Sequence, residues 1–511
     1  MRKSLVAFSF IILCIFTCWI HGAGQGSAAE RPAGQPSRVH RLESRVYALE
    51  SPVYALESPV VDERVELLSI VARMAGFQEY NDSSFMPYVK AIHQHFDPYR
   101  QHPVILLARQ LRDSMGLGFD GVMSMAVHLS PPPALVPVVA FNDTVPDKRW
   151  GPFKDRFVGL LKQFYIDAHC AEFFAAQRPL YDSALRRYLA VYDLLDVVWY
   201  QRFYGLPPRS DFHVVLGVGN GGGNYGPKVV HPNGKEDVFA IEGVWDVDSG
   251  GLPRFPLDSY LPTLIHEFNH SFINYLTLTH LEAFKASGAL LYDSVEKLMR
   301  KQAYADWSTM LSEALVRAAV VRYLMAHPGD GQSPRVEAAM QVRNGFWWLR
   351  ELVDLLGDYE ADRAAYPTLE AFLPKLIQFY DTAAADMADY RRRVNQRIQD
   401  SSIMIASIGP FRPGDTVVRA DLTEIAFTFD RPIVAGRYSF GPTKAMGVEH
   451  YPKVLMPAVR YSADGRTLFF HVSLKPNTVY QMYLNGNWFL STDGYPARNF
   501  TLNFKTGSST R

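Results

Sequence analysis

His266, Glu267 and His270 stand in the order H-E-x-x-H within the stretch LDSYLPTLIHEFNHSFINYL. On a helix, residues four apart share a face, so both imidazoles can reach one metal ion while Glu267 lies beside it. Neutral imidazoles are good ligands for Zn²⁺. A catalytic zinc takes three protein ligands and leaves a position open for water, and a nearby carboxylate can take that water's proton. Glu267 is therefore the expected general base, and His266 and His270 the expected metal ligands.

These residues need a helix to position them. Leu261, Leu264, Ile265, Phe268, Phe272 and Leu276 recur at helical spacing, Asp258 or Ser259 is the expected N-cap, and Pro262 is expected in the first turn. The third ligand must come from elsewhere. DWSTMLSEALVRAAVVRYLM has a second strong helical pattern and places Glu313 among apolar neighbours, where a carboxylate needs a partner. An ion pair with Arg317, one turn on, would satisfy it as well.

HEFNH followed by a later helical SEALVRA resembles the gluzincin branch of zinc metallopeptidases. Their fold takes two histidines from one helix and a glutamate from a later one. VDERVELLSIVARMAGFQEYN, HEFNH and SEALVRA together resemble a family of secreted bacterial proteins that carry such a motif. The resemblance implies a zinc peptidase with His266, His270 and Glu313 as ligands. It also implies a substrate-binding edge strand above the motif helix, for which FHVVLGVG and DVFAIEGVW, read as a hairpin around GNGGGNYGPKVVHPNGKED, are the expectation. His231 is read as a surface residue of that hairpin. The metzincin pattern is excluded, because positions 273 and 276 are Ile and Leu. An oxyanion-steadying side chain is expected, with Tyr323, Tyr366 and Tyr380 as candidates.

The whole chain has 511 residues, 48% hydrophobic and 20% charged, with a formal net charge of zero. That is room for two or three domains, and nothing in it favours nucleic acid or an anionic membrane as a partner. Arg2 and Lys3, the apolar run Leu5 to Ile20 and the small residues after it read as an export signal, cleaved between Ala23 and Ala29. Lipidation at Cys14 or Cys18 and an uncleaved anchor are the lesser alternatives. Cys170 is then the lone thiol, so no internal disulfide is expected, and its helical surroundings read as those of an unreactive buried cysteine. VYALESP occurs at 46–52 and again at 53–59, too few copies for a solenoid.

The expected organisation is a signal peptide at 1–29, a linker and leader strand at 30–60, a mainly α (α+β) zincin-like catalytic domain at 61–400, and an all-β sandwich at 402–508. In the last, Ile425, Phe427, Phe429 and Leu468, Phe470, Val472 alternate as strands do. TEIAFTFDRPI and FTLNFKTG resemble bacterial immunoglobulin-like domains, which implies cell-surface association. The functional expectation is an exported zinc peptidase acting on peptides or proteins. A zinc hydrolase of other amides or esters is one alternative. The other is a non-catalytic surface-binding protein with a structural metal.

Overall fold

The computed structural model describes residues 57–508 apart from 83, 207–209, 249 and 303. The export signal, the linker and most of the VYALESP repeat lie outside the described residues. Among those described, no helix is long and apolar enough to cross a membrane.

The chain is mixed α+β, with two separate hydrophobic clusters. The first runs from Val65 to Val394 and is built almost wholly from helices. Its first helix, Glu63–Ala75, shows why the boundaries fall where they do: the Asp62 carboxylate accepts from the Arg64 N–H at 2.8 Å, and Gly76 ends the helix in the left-handed region (φ +87°). The stretch around Cys170 is not one helix. Lys154–Asp167 stops and Cys170–Tyr192 begins after His169 turns to φ +49°. Cys170 is buried in that corner, which pushes its thiol well above the usual range.

A small sheet interrupts the helices. Ser210–Gly217 pairs with Glu236–Gly243 in parallel, and Lys228–Val230 pairs antiparallel on the other side of Glu236–Gly243. The expected hairpin between the first two is thus corrected. The glycine-rich connection is no tight turn: it makes a 3₁₀ turn at Val218–Asn220 and then returns through Tyr225, which exchanges two 2.9 Å hydrogen bonds with Ile241. The real hairpin joins 225–230 to 236–243, and His231 sits at its turn, half-buried, with Nε2 2.8 Å from Asp237. The far edge of Ser210–Gly217 is covered by Val60, whose N–H donates to Val214 and whose carbonyl accepts from Leu216.

The helix Leu257–Thr279 carries the H-E-x-x-H motif and is called the motif helix below. Its N-cap is Pro256, not Asp258 or Ser259, because the Pro256 carbonyl already accepts from Ser259 and Tyr260. Pro262 consequently lies inside the helix rather than in its first turn. After Leu281–Lys301 the chain forms Trp307–Ala326, the glutamate helix. A 2.5 Å bond between the Thr277 and Ser312 hydroxyls, buried between them, joins the motif and glutamate helices.

The last helix ends at Ser401, and strands follow. Ile405–Gly409, Glu424–Phe429, Thr467–Ser473 and Lys453–Tyr461 form one antiparallel sheet in that order; Phe500–Lys505, Val479–Leu484 and Phe440–Gly441 form another. Alternate residues of both sheets, including Phe427, Phe470, Met482 and Phe504, enter the second hydrophobic cluster. This part meets the helices at Pro334–Arg343. Gly494 (φ +88°) comes so close that a Cβ there would lie 2.5 Å from that of Ala339.

Glu242, on the central strand of the small sheet, is fully buried, and neither of its carboxylate oxygens has a hydrogen-bond partner. Burial raises its pKa to about 8 despite the nearby Tyr188 hydroxyl, which lowers it without reaching hydrogen-bond geometry. A carboxyl whose folded pKa exceeds its unfolded value stabilises the fold fully below the unfolded value, and that stability is lost as pH rises through the folded one. Stability measured by chemical denaturation should therefore fall in the native chain relative to Glu242→Gln between pH 4.5 and 8. The shift should be several kcal/mol, at about 1.4 kcal/mol per pKa unit. Parallel pH profiles for the two proteins would remove the buried acid from this account.

Candidate metal centre

Three side chains converge between the motif and glutamate helices. His266 Nε2 and His270 Nε2 are 3.0 Å apart; Glu313 Oε2 is 3.5 Å from the first and Oε1 is 3.4 Å from the second. All three residues are buried and together form the metal-competent cluster found among the described residues. Ligand atoms on a tetrahedral zinc with bonds of about 2.0–2.1 Å stand about 3.3 Å apart, close to these separations.

The chemistry of the donors points the same way. Burial, followed by the His270 and Arg317 charges, holds the His266 imidazole well below its usual range, and burial lowers His270 despite the Glu313 carboxylate. Both shifts favour the neutral imidazole. In the tautomer that donates His270 Nδ1–H to Asn274 Oδ1 (3.1 Å), the His270 Nε2 lone pair faces His266 Nε2. The Asn274 contact orients the ring.

Glu313 is also gripped from behind. The Tyr304 hydroxyl donates to its Oε2 at 2.9 Å, Arg317 Nη2 lies 3.3 Å from the same oxygen, and Arg317 Nη2 donates to the Tyr304 oxygen at 2.6 Å. The ion pair with Arg317 and the approach to both histidines thus coexist; the carboxylate has oxygens enough for both. Asn274, one turn beyond His270, was legible from helical spacing. Tyr304 was not, since it comes from the loop before the glutamate helix.

Glu267 is buried beside the histidines, and its Oε1 has no hydrogen-bond partner. Burial, then the Glu313 and Glu242 carboxylates, push its pKa well above the carboxylate range. Gly226 lets the edge segment approach it, since a Cβ there would stand 2.5 Å from Glu267 Oε2. Glu267 and His270 face a cavity of about 320 Å³ that is also lined by Gly226, Pro227 and Lys228. His266 faces a second cavity, of about 180 Å³, with Tyr304 and Arg317. A much smaller cavity of about 20 Å³, between the helices and the second cluster near Tyr495, is lined by none of these residues.

Aromatic packing fixes the motif helix against its surroundings. The Tyr204 hydroxyl donates to buried Asn269 at 2.7 Å while its ring stacks on Phe272 at 4.3 Å. Phe212 stacks on Phe268 at 4.1 Å, and Tyr260 lies flat on Trp245 at 3.6 Å and donates to the Gly243 carbonyl. The tyrosines expected near the chemistry are elsewhere: Tyr323 donates to the Leu194 carbonyl, Tyr380 packs edge-on to Phe284, and Tyr366 packs on Phe372.

No curated protein matches the chain. Among solved structures, the crystal structure of the S-layer protein rSbsC(31-844) is 13% identical, over 48% of this chain and 34% of that one, with a TM-score of 0.16. The N-terminal part of the S-layer protein SbsC is 14% identical, over 52% of this chain and 60% of that one, at the same TM-score. This chain thus spans less than two thirds of either, and a TM-score of 0.16 has no bearing on the site. Residues 59–379, which include the small sheet, both site helices and all four candidate site residues, match the family described as Domain of unknown function (DUF4932), and the chain belongs to that family.

Proposed function

We propose that this chain is an exported zinc-dependent peptidase of gluzincin type, in which His266, His270 and Glu313 hold Zn²⁺ and Glu267 is the general base. The observation that carries the reading is the convergence of three buried ligand atoms at 3.0–3.5 Å, with an acid of raised pKa and an unpartnered oxygen beside them. Zinc held there would polarise a scissile carbonyl and acidify the attacking water. Glu267 would accept the proton of that water and return it to the leaving nitrogen, a role suited to a carboxylate whose pKa burial has raised. The antiparallel edge segment from Gly226 to Val230, bordering the same cavity, supports an extended peptide as substrate through its backbone groups.

The motif helix under a small sheet, with the glutamate on a later helix, supports a zincin-like arrangement. The four- and three-stranded sheets after residue 402 support an immunoglobulin-like sandwich that could tether the enzyme at a cell surface. The competing reading is a non-catalytic protein in which the cluster is purely structural, and the grip of Arg317 and Tyr304 on Glu313 favours it. Against it stands Glu267, which no structural metal site requires. A zinc hydrolase of other amides or esters would use the same machinery.

Elemental analysis of the purified chain should find about one zinc per molecule, lost in both His270→Ala and Glu313→Ala. Absence of zinc from zinc-replete native protein would end the metallopeptidase reading. Glu267→Gln should retain the metal and lower kcat/KM on a peptide library by about 10²- to 10⁴-fold; undiminished hydrolysis would remove Glu267 as base. Tyr304→Phe strips a donor from Glu313 and should weaken zinc about 10- to 100-fold in competition with a chelator. Unchanged affinity would reduce Tyr304 to packing.

A further inference from the structure

The cavity on the His266 side is closed by a residue from the far end of the chain. Arg437 lies between the strands Glu424–Phe429 and Phe440–Gly441, far in sequence from the motif helix, yet it lines the same cavity as His266, Thr263 and Tyr304. Its direction is set by Gly436 (φ +83°), whose N–H donates to the Tyr461 hydroxyl at 3.1 Å.

Most other donors that line the cavity are already engaged, those of Arg317 through Nη1 to Gln341 and Nη2 to the Tyr304 oxygen. The Ser259 and Thr263 hydroxyls donate to backbone carbonyls within the motif helix's first turns, and the Tyr304 hydroxyl donates to Glu313. The Gln302 amide donates to the Leu298 and Asn344 carbonyls, and that of Asn344 to Gln341. Arg437 is different. Its Nε is buried without a hydrogen-bond partner, and among the described residues no carboxylate pairs with its guanidinium. Two acids also line the cavity, but Glu337 is engaged by the Gln341 amide at 2.6 Å and neither it nor Asp258 reaches Arg437. Nearby Arg343 is held below its usual range by burial and then by the Arg437 charge, so a second cation faces the first. A half-buried guanidinium whose buried Nε has no partner, beside another cation and in a cavity shared with His266, is suited to an anion with two oxygens.

We propose that Arg437 is a specificity-determining residue that binds a carboxylate of the substrate in the His266-side cavity, so that peptides carrying a free carboxylate are preferred. This rests on the peptide-hydrolase reading for its substrate class. It also gives the C-terminal strands a direct part in the site. The carboxylate has two sources, the substrate's C-terminus and an acidic side chain.

The test uses the full-length, zinc-loaded Glu267→Gln protein, titrated calorimetrically with three N-acetylated tripeptides: one with a free C-terminal carboxylate, its C-terminal amide, and an amide with a central glutamate. At least one carboxylate form should bind about tenfold or more tightly than the neutral amide, and which one does so identifies the source. Adding Arg437→Gln should abolish the preference, and Arg437→Lys should keep part of it. Equal binding of all three peptides, no binding of any, or a preference that survives Arg437→Gln in protein with an unchanged circular dichroism spectrum would each overturn the proposal. The chain with Glu267 intact is assayed in parallel for hydrolysis of the same peptides. Preference without hydrolysis would sink the peptidase reading while leaving Arg437 as a carboxylate-binding residue.

Discussion

Two buried imidazoles stand 3.0 Å apart with a carboxylate closing the triangle, each histidine at the wall of a cavity. Burial removes the easy solution of protonating a histidine, because the charged ring would lose its hydration. The surrounding structure holds the three groups in place: Asn274 orients His270, Tyr304 and Arg317 hold Glu313, and the Thr277–Ser312 bond joins the two helices that bring the groups together. Loosening any of these would let the ligand atoms drift apart before it altered the fold.

A second constraint is closeness of backbone. Gly226 allows the edge segment to pass over Glu267, and at Gly243 any side chain would run into the Gly221 carbonyl, 2.2 Å from an added Cβ. Glycines in this loop therefore do more than permit turns: they set the thickness of the wall between the sheet and the acid. Glu242, behind that wall, raises the Glu267 pKa further when it is itself ionised, after burial and Glu313. The sheet tunes the carboxylate as well as framing the cavity.

The helical and strand patterns were legible where periodicity and burial coincide. Ile425, Phe427 and Phe429 alternate inward as their spacing implies, and His266, His270 and Glu313 do meet. The misreadings share one cause, which is that local residue preferences do not report which partner a segment finds. FHVVLGVG looks like one arm of a hairpin, but its neighbour is reached in parallel because the glycine-rich segment doubles back and takes the antiparallel place itself. Asp258 and Ser259 are good capping residues in a position where Pro256 has already started the helix. Tyr304 and Arg437 could not have been chosen from the sequence, since each reaches the site from a connection whose path only the packing of distant elements decides.

Val60 spans the sheet's outer edge with a hydrogen bond in each direction, to Val214 and from Leu216. That single residue sets a limit on trimming of the N-terminus. A protease that removed it would uncover a row of backbone donors and acceptors on Ser210–Gly217, an adhesive surface for any other extended chain. A form of the chain beginning beyond Val60 would leave the Val214 carbonyl and the Leu216 N–H without these partners.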